Sequence, residues 1–343
     1  MNISDKNDTM VQFFATVYGY AALGAIPVTA IGLMANLLLI IVFIIDKSFH
    51  KTTYYLLIIS ICSDIAANIS ALSTFIQIAE QRHNYQSGTL MCQCYVYVYS
   101  SSYTISIMTL CLNAIDRYFA IVRPLSSFYR IYKRFFLISG EIIIWILSLS
   151  LNIPTFFFMS VHRKDTLLCD YPTITTSVSI YFITFVLIEN LLPAFLISII
   201  YFRIIIHQRN YIQPGQILRN RTQYQIRRNR LTKMLMSISI CYIITAIPLS
   251  CVFIGSAITQ KSLIQIRQES LLAFLLIFFS ISFTASIATI NPFLYLKFDV
   301  VLRERSKSTI GHIITLMYTK SSSTFIAVLN NLTQTQKSEA ASV

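Results

Sequence analysis

A chain of 343 residues that is 55% hydrophobic and only 12% charged has about half the charge that a water-facing surface requires, which excludes a soluble globular protein. Its net charge of +13 is of the kind that accompanies nucleic-acid binding, but a mean hydropathy of +0.64 excludes a soluble nucleic-acid binder too. With 8 Gly and 8 Pro it is neither fibrous nor of low complexity.

A helix crosses the hydrocarbon core with about 20 mainly apolar residues, and seven windows qualify. Residues 1–20 precede them, with sequons at Asn2 and Asn7. The first ten carry Asp5, Lys6 and Asp8 and no apolar run, so no cleavable signal peptide is expected and the first span is expected to act as its own insertion signal. The first window, 21–45, contains Asn36. The second, 54–79, has Asp64 as its one charge and ends near Gln77 and Glu80. The third, 90–115, begins with Cys92 and Cys94 and repeats tyrosine every four residues at Tyr95, Tyr99 and Tyr103, one helical face. It continues through Ser106, Ile107 and Asn113 to Asp116-Arg117-Tyr118. The fourth, 135–159, holds Glu141 and the lone tryptophan, Trp145. The fifth, 178–202, holds Glu189, Asn190, Pro193 and Tyr201. Tyr242 and Pro248 fall in the sixth, 234–258, and Asn291-Pro292-Phe293-Leu294-Tyr295 closes the seventh, 270–296.

An odd number of crossings puts the termini on opposite sides. Of the 27 Lys and Arg, 21 fall in 46–53, 116–134, 203–233 and the tail from 297. By the positive-inside rule those segments are cytoplasmic and the N-terminus is outside, where Asn2 and Asn7 are open to glycosylation. The cytoplasmic set carries five acids and a net +16, suited to anionic lipid. The expected organisation is therefore an all-α membrane protein: an extracellular N-terminus over 1–20, a seven-helix bundle over 21–296, and a cytoplasmic tail over 297–343. That tail opens with a short amphipathic helix over 298–305.

Asp116-Arg117-Tyr118 at the end of the third span and Asn291-Pro292 with Tyr295 at the end of the seventh resemble the rhodopsin-like family of G-protein-coupled receptors. The resemblance extends over roughly 20–305 through Asn36, Asp64, Trp145, Pro193, Tyr201 and Pro248. It implies a plasma-membrane receptor with an extracellular ligand, a heterotrimeric G protein and arrestin as partners, and no enzymatic activity or nucleic-acid binding. It implies coupling and activation roles for Asp116, Arg117, Tyr118, Tyr201, Asn291, Pro292 and Tyr295, and a relay through Ile107, Pro193, Tyr242 and Pro248. It also implies a disulfide between Cys92 and Cys169, with Cys94 as a competitor two residues on.

The resemblance further implies a sodium ion at Asp64, Ser106 and Asn291; the alternative is a protonated Asp64 in a hydrogen-bond network. Asn36 and Asn113 are further companions for that carboxyl. No other cofactor is implied.

The chain departs from the family pattern in several places. Arg227-Arg228-Asn229-Arg230 offers Arg117 no acid at the base of the sixth span. Ala246 stands where the family places tryptophan, and Ile287 and Ala288 stand where it commonly supplies polar groups. Tyr99 occupies the position of the amine-binding acid, and the absence of lysine before Lys297 excludes a retinal Schiff base in the seventh span. The candidate pocket is Gln77, Tyr95, Tyr99, Tyr103 and Glu189, with a peptide as the favoured ligand and a small chemosensory molecule next. The alternative function is a transporter or channel using Asp64, Glu141 and Glu189, since intramembrane acids can relay protons. The histidines are scattered and make no catalytic constellation.

Overall fold

The computed structural model describes residues 3–49, 52–80, 84–124, 126–163, 165–210, 219–311 and 315. In chain order these form α1 (Ile3–Ile45), a 3-10 turn (Lys47–Phe49), α2 (Thr52–Glu80), α3 (Tyr85–Ile121), α4 (Ser127–Asn152) and α5 (Pro154–Phe158). Then come the strands β1 (Ser160–His162) and β2 (Asp165–Asp170). They are followed by α6 (Thr176–Phe185), a π-helical turn (Val186–Leu191), α7 (Leu192–Asn210), α8 (Arg219–Thr259), α9 (Leu263–Glu269), α10 (Leu271–Ala285) and α11 (Ile287–Phe298). The chain is an all-helical membrane protein whose described residues include one small antiparallel hairpin. Asn2 lies outside the described residues, as does 211–218 of the basic segment between α7 and α8; Asn7 falls in the first turns of α1, which starts well before the expected first span.

Among the described residues six helical stretches are long and apolar enough to cross a membrane: Thr16–Ile45, Tyr54–Glu80, Tyr129–Phe158, Thr176–Arg209, Arg230–Thr259 and Leu271–Phe298. The predicted third span does not reach that hydropathy, for a physical reason. The helix α3 packs against α2, α4, α7 and α8, and the run Ser101–Ile107 is buried without a break. A helix surrounded by protein has little lipid to match, so it can carry Ser, Thr, Tyr and Asn on most of its faces. The lipid-facing helices do the reverse: Ile142, Ile143 and Ile146 of α4, and Phe195 and Phe202 of α7, are all exposed.

Two prolines shape the fifth and seventh spans. Pro193 has no N–H to donate to the carbonyl four residues back, and the turn before it widens into the π-helix Val186–Leu191, closed by Leu192 N–H to the Leu187 carbonyl. π-Bulges concentrate at functional positions; this one buries both Glu189 and Asn190. In α11, Pro292 leaves the Ala288 carbonyl without its helical donor. Asn36 from α1 and Asn68 from α2 supply it, with Nδ2 donating at 2.9 and 3.1 Å. Thr289 also donates to Asn68 Oδ1 at 2.9 Å. Ala288, with no polar side chain, thus takes part in the polar core through its backbone. Where α1 meets α11, a Cβ at Gly32 would lie 2.6 Å from Thr289 Cγ2 and 2.9 Å from Thr289 Cα, so only glycine fits.

Residues from 299 onward form a separate unit. Asp299 caps a helix over 300–311 by accepting from Val301 and Leu302 N–H at 3.0 and 3.1 Å. The expected amphipathic helix over 298–305 is thus displaced: Asp299 is its N-cap, and it runs six residues further.

Candidate functional site

At the end of the bundle that carries the disulfide, a cavity of about 300 Å³ opens among α2, α3, α6, α8 and α10. Tyr95, Tyr99 and Tyr103 line it together with Phe182, Phe253 and Phe274, giving an aromatic, largely apolar interior. The i, i+4 spacing of the three tyrosines puts them on one stripe of α3, as a helix of 3.6 residues per turn requires. Of the other expected pocket residues, Gln77 bonds to Met91 and Glu189 sits between helices; neither lines this cavity.

The β1–β2 hairpin covers the cavity. Cys92 at the start of α3 is bonded to Cys169 in β2, with Cα atoms 5.7 Å apart, while Cys94 is free. Next to that bridge, the buried Asp170 accepts backbone N–H bonds from Tyr171 at 2.7 Å, Leu263 at 3.1 Å and Ile264 at 3.2 Å. It therefore caps the N-terminus of α9 from a different segment. Burial pushes its carboxyl above the usual carboxylate range, against the pull of those three donors and of His162, 3.6 Å away. The far end of α9 is held by Arg267, whose guanidinium lies 4.7 Å from the Phe14 ring centroid and 5.9 Å from that of Phe274, and which donates to Tyr18 OH at 3.3 Å. Hairpin, α9 and the extended start of α1 thus form a continuous roof.

Below the cavity Tyr103 meets Tyr242 of α8, ring centroids 5.7 Å apart. Tyr242 OH donates to Asp64 Oδ1 at 3.1 Å and accepts from Asn291 Nδ2 at 3.0 Å. Asp64 also accepts from Ser106 Oγ at 3.1 Å and from Asn291 Nδ2 at 2.8 Å. Four helices converge on one carboxyl with three donors. A hard cation takes oxygen lone pairs, but here the tyrosine hydroxyl and the asparagine amide turn protons toward the acid. This donor set holds Asp64 in a hydrogen-bond network. Asn36 turns instead to Ala288, and the buried Asn113 has no hydrogen-bond partner among the described residues.

A second buried acid, Glu189, accepts from Thr104 Oγ1 at 2.6 Å and Asn152 Nδ2 at 3.1 Å, joining α3, α4 and the π-turn. Beside it Tyr103 OH donates to Asn190 Oδ1 at 3.2 Å. Glu141 accepts from Thr109 at 2.9 Å. The three intramembrane acids therefore sit in separate clusters, each with its own neutral donors.

At the opposite end of the bundle, Asp116 is fully buried and held three ways. Arg117 pairs with it, Lys133 Nζ lies 2.5 Å from Oδ1, and Tyr129 OH donates to Oδ1 at 2.6 Å. Lys133 and Tyr129 are one turn apart on α4, so they present together. Through Asp116, Arg117 is thereby bridged toward α4. Sequence reading missed Lys133 and Tyr129 because nothing in a basic segment distinguishes one lysine from its neighbours; the i, i+4 Tyr/Lys pair is the signal that was present. Tyr201, Tyr295 and Ile107 are all buried. Pro248 interrupts the α8 ladder, and near it Thr284 Oγ1 from α10 donates to the Thr245 carbonyl at 2.6 Å.

Comparison with known proteins bears on this arrangement. The family described as "7 transmembrane receptor (rhodopsin family)" matches residues 35–295. The chain is 27% identical over 233 residues to "Rhodopsin, GQ-coupled" of Mizuhopecten yessoensis, covering 64% of this chain and 46% of that protein. It is 28% identical over 233 residues to "Neuropeptide Y receptor type 2" of Mus musculus, covering 64% and 58%. To "Dopamine receptor 2" of Caenorhabditis elegans it is 27% identical over 208 residues, covering 58% and 24%. The chain thus spans from a quarter to rather more than half of the length of these relatives. With a match that takes in both terminal motifs and the Asp64 core between them, the chain belongs to the rhodopsin family of seven-transmembrane receptors.

Proposed function

We propose that this chain is a plasma-membrane receptor that binds an extracellular ligand beneath the hairpin roof and activates a heterotrimeric G protein at the Asp116–Arg117–Tyr118 end. The N-terminus lies outside, with Asn2 and Asn7 as glycosylation sites, and the tail lies in the cytoplasm, where arrestin is a further partner. The observation that carries this reading is the unbroken path from cavity to core. Tyr103 lines the cavity and touches Tyr242, and Tyr242 binds both Asp64 and Asn291. A ligand pressing on Tyr103 would shift the α8 position that this network favours, a population shift between two packings. The aromatic interior favours a ligand that inserts an apolar or aromatic group, which a peptide side chain supplies and a small chemosensory molecule supplies next best. A basic cytoplasmic face, bearing 21 of the 27 Lys and Arg, supports the orientation.

Screening peptides and small odorants side by side with a promiscuous G-protein reporter identifies the ligand. Arg117→Ala is then expected to abolish nucleotide exchange and leave ligand binding intact. Unchanged coupling in that variant would refute the proposal. The transporter alternative predicts substrate-dependent current without a G protein, and the separate neutral hydrogen-bond donors that hold Asp64, Glu141 and Glu189 weigh against it.

A further inference from the structure

Near the Asp116 end of the bundle a second recess, about 430 Å³, lies between α3 and α7. It is lined by Ile115, Tyr118, Phe119 and Arg123 on one side and by Ile199, Ile200 and Arg203 on the other. Its composition is divided: three isoleucines and two aromatic rings make the floor, and one arginine stands on each wall. Both arginines are exposed, and neither has an ion pair among the described residues. The acid nearest in sequence, Asp116, is buried and already engaged by Arg117 and Lys133. On α7 the apolar floor runs on into exposed Ile199 and its neighbours Phe195 and Phe202, the surface that meets lipid tails.

We propose that this groove binds one anionic phospholipid, its phosphate held between Arg123 and Arg203 and an acyl chain lying along Ile115, Ile199 and Ile200. Guanidinium forks match phosphate oxygens in a bidentate geometry. Arginine at a membrane edge buries its stem and keeps its head at headgroup level. A free phosphate would satisfy the two arginines but leave the isoleucine floor uncovered. Bound there, the lipid ties α7 to α3 beside Tyr118. Only the identity of the leaflet rests on the orientation proposed above, the cytoplasmic leaflet being the one rich in anionic lipid.

The test is native mass spectrometry of the full chain titrated with dioleoylphosphatidylglycerol and, separately, dioleoylphosphatidylcholine. The wild type is expected to retain one phosphatidylglycerol that phosphatidylcholine does not displace. Arg123→Gln/Arg203→Gln is expected to weaken that binding roughly tenfold or more, the loss of two charge-assisted contacts. Arg130→Gln/Arg134→Gln removes the same charge from α4 and is expected to leave it unchanged. Equal weakening in both double variants would reduce the effect to bulk surface charge and overturn the site, as would no weakening in either. Displacement by soluble glycerophosphoglycerol at the lipid's own concentration would show a phosphate site rather than a lipid site and would also overturn the proposal. No G protein enters the readout, so failure here is distinct from failure of the receptor reading.

Discussion

The ring of Tyr103 lies 5.7 Å from that of Tyr242 at an interplanar angle of 44°, and this pair stands between the aromatic cavity and the only acid of α2 that the core buries whole. Ala246, where the family pattern has tryptophan, is too small to form such a contact. Tyr242→Phe keeps the ring and removes the hydroxyl, leaving Asp64 and Asn291 each short of one partner. An unsatisfied buried group costs about 1–3 kcal/mol, so the variant is expected to melt earlier in a thermal-shift measurement. Tyr103→Ala empties a buried site and strands Asn190, so it is expected to melt earlier still and to lose most ligand-evoked nucleotide exchange. Tyr103→Phe, which keeps the ring on Tyr242, is expected to retain exchange; exchange retained in Tyr103→Ala would remove the pair from the activation path.

Asp64 is closed by Ser106, Tyr242 and Asn291, all donating. A cation would have to displace at least two of these bonds. The melting temperature of the purified protein is therefore expected to be the same in sodium chloride as in choline chloride at equal ionic strength. A ligand specific for the native state stabilises it by mass action, so a sodium-dependent rise of several degrees would show that the ion binds and that the network rearranges around it.

Much of this was legible in the sequence, and the limits have physical causes. The spans, the charge asymmetry and the two terminal motifs follow from composition and position alone. The pairing of Cys92 with Cys169 was expected from the resemblance, and the structure has it. Backbone partners were not legible. Ala288 was noted only for lacking a polar side chain, whereas its carbonyl, orphaned by Pro292, gathers Asn36 and Asn68. Nor did spacing reveal that Glu189 would turn toward Thr104 and Asn152 instead of lining the cavity. That depends on the extra residue in the π-turn before Pro193, which shifts every side chain above it relative to a regular helix. Nor was it legible that the connection after α5 folds into a hairpin whose Asp170 finds its donors at the start of α9, more than ninety residues along the chain.

That Asp170 contact yields its own prediction. A side chain that caps a helix contributes about 0.5–2 kcal/mol, and here the cap also fastens the hairpin to α9. Asp170→Ala is expected to raise amide hydrogen exchange across 263–269 while leaving exchange in 102–114 at the wild-type level. Equal rates in 263–269 for the two proteins would mean that the Ser262 capping box, in which Ser262 Oγ accepts from Gln265 N–H and Gln265 Oε1 accepts from Ser262 N–H, holds α9 alone.

The approach of α1 to α11 at Gly32 is the tightest packing constraint near the polar core. Gly32→Ala places a methyl 2.6 Å from Thr289 Cγ2 and 2.8 Å from Thr289 Oγ1, and Thr289 is the residue that donates to Asn68. Relief by moving the side chain breaks that bond, and relief by moving the helix separates Asn36 from the Ala288 carbonyl. Overpacking of this kind costs about 1–3 kcal/mol, which should appear as reduced folded yield and a lower melting temperature. Adding Thr289→Ala removes the two closest atoms but not Thr289 Cα, 2.9 Å from the new methyl. The double variant is therefore expected to recover part of the loss and not all of it. Full recovery would place the whole clash in the Thr289 side chain; no recovery would place it in the backbone-to-backbone approach of the two helices.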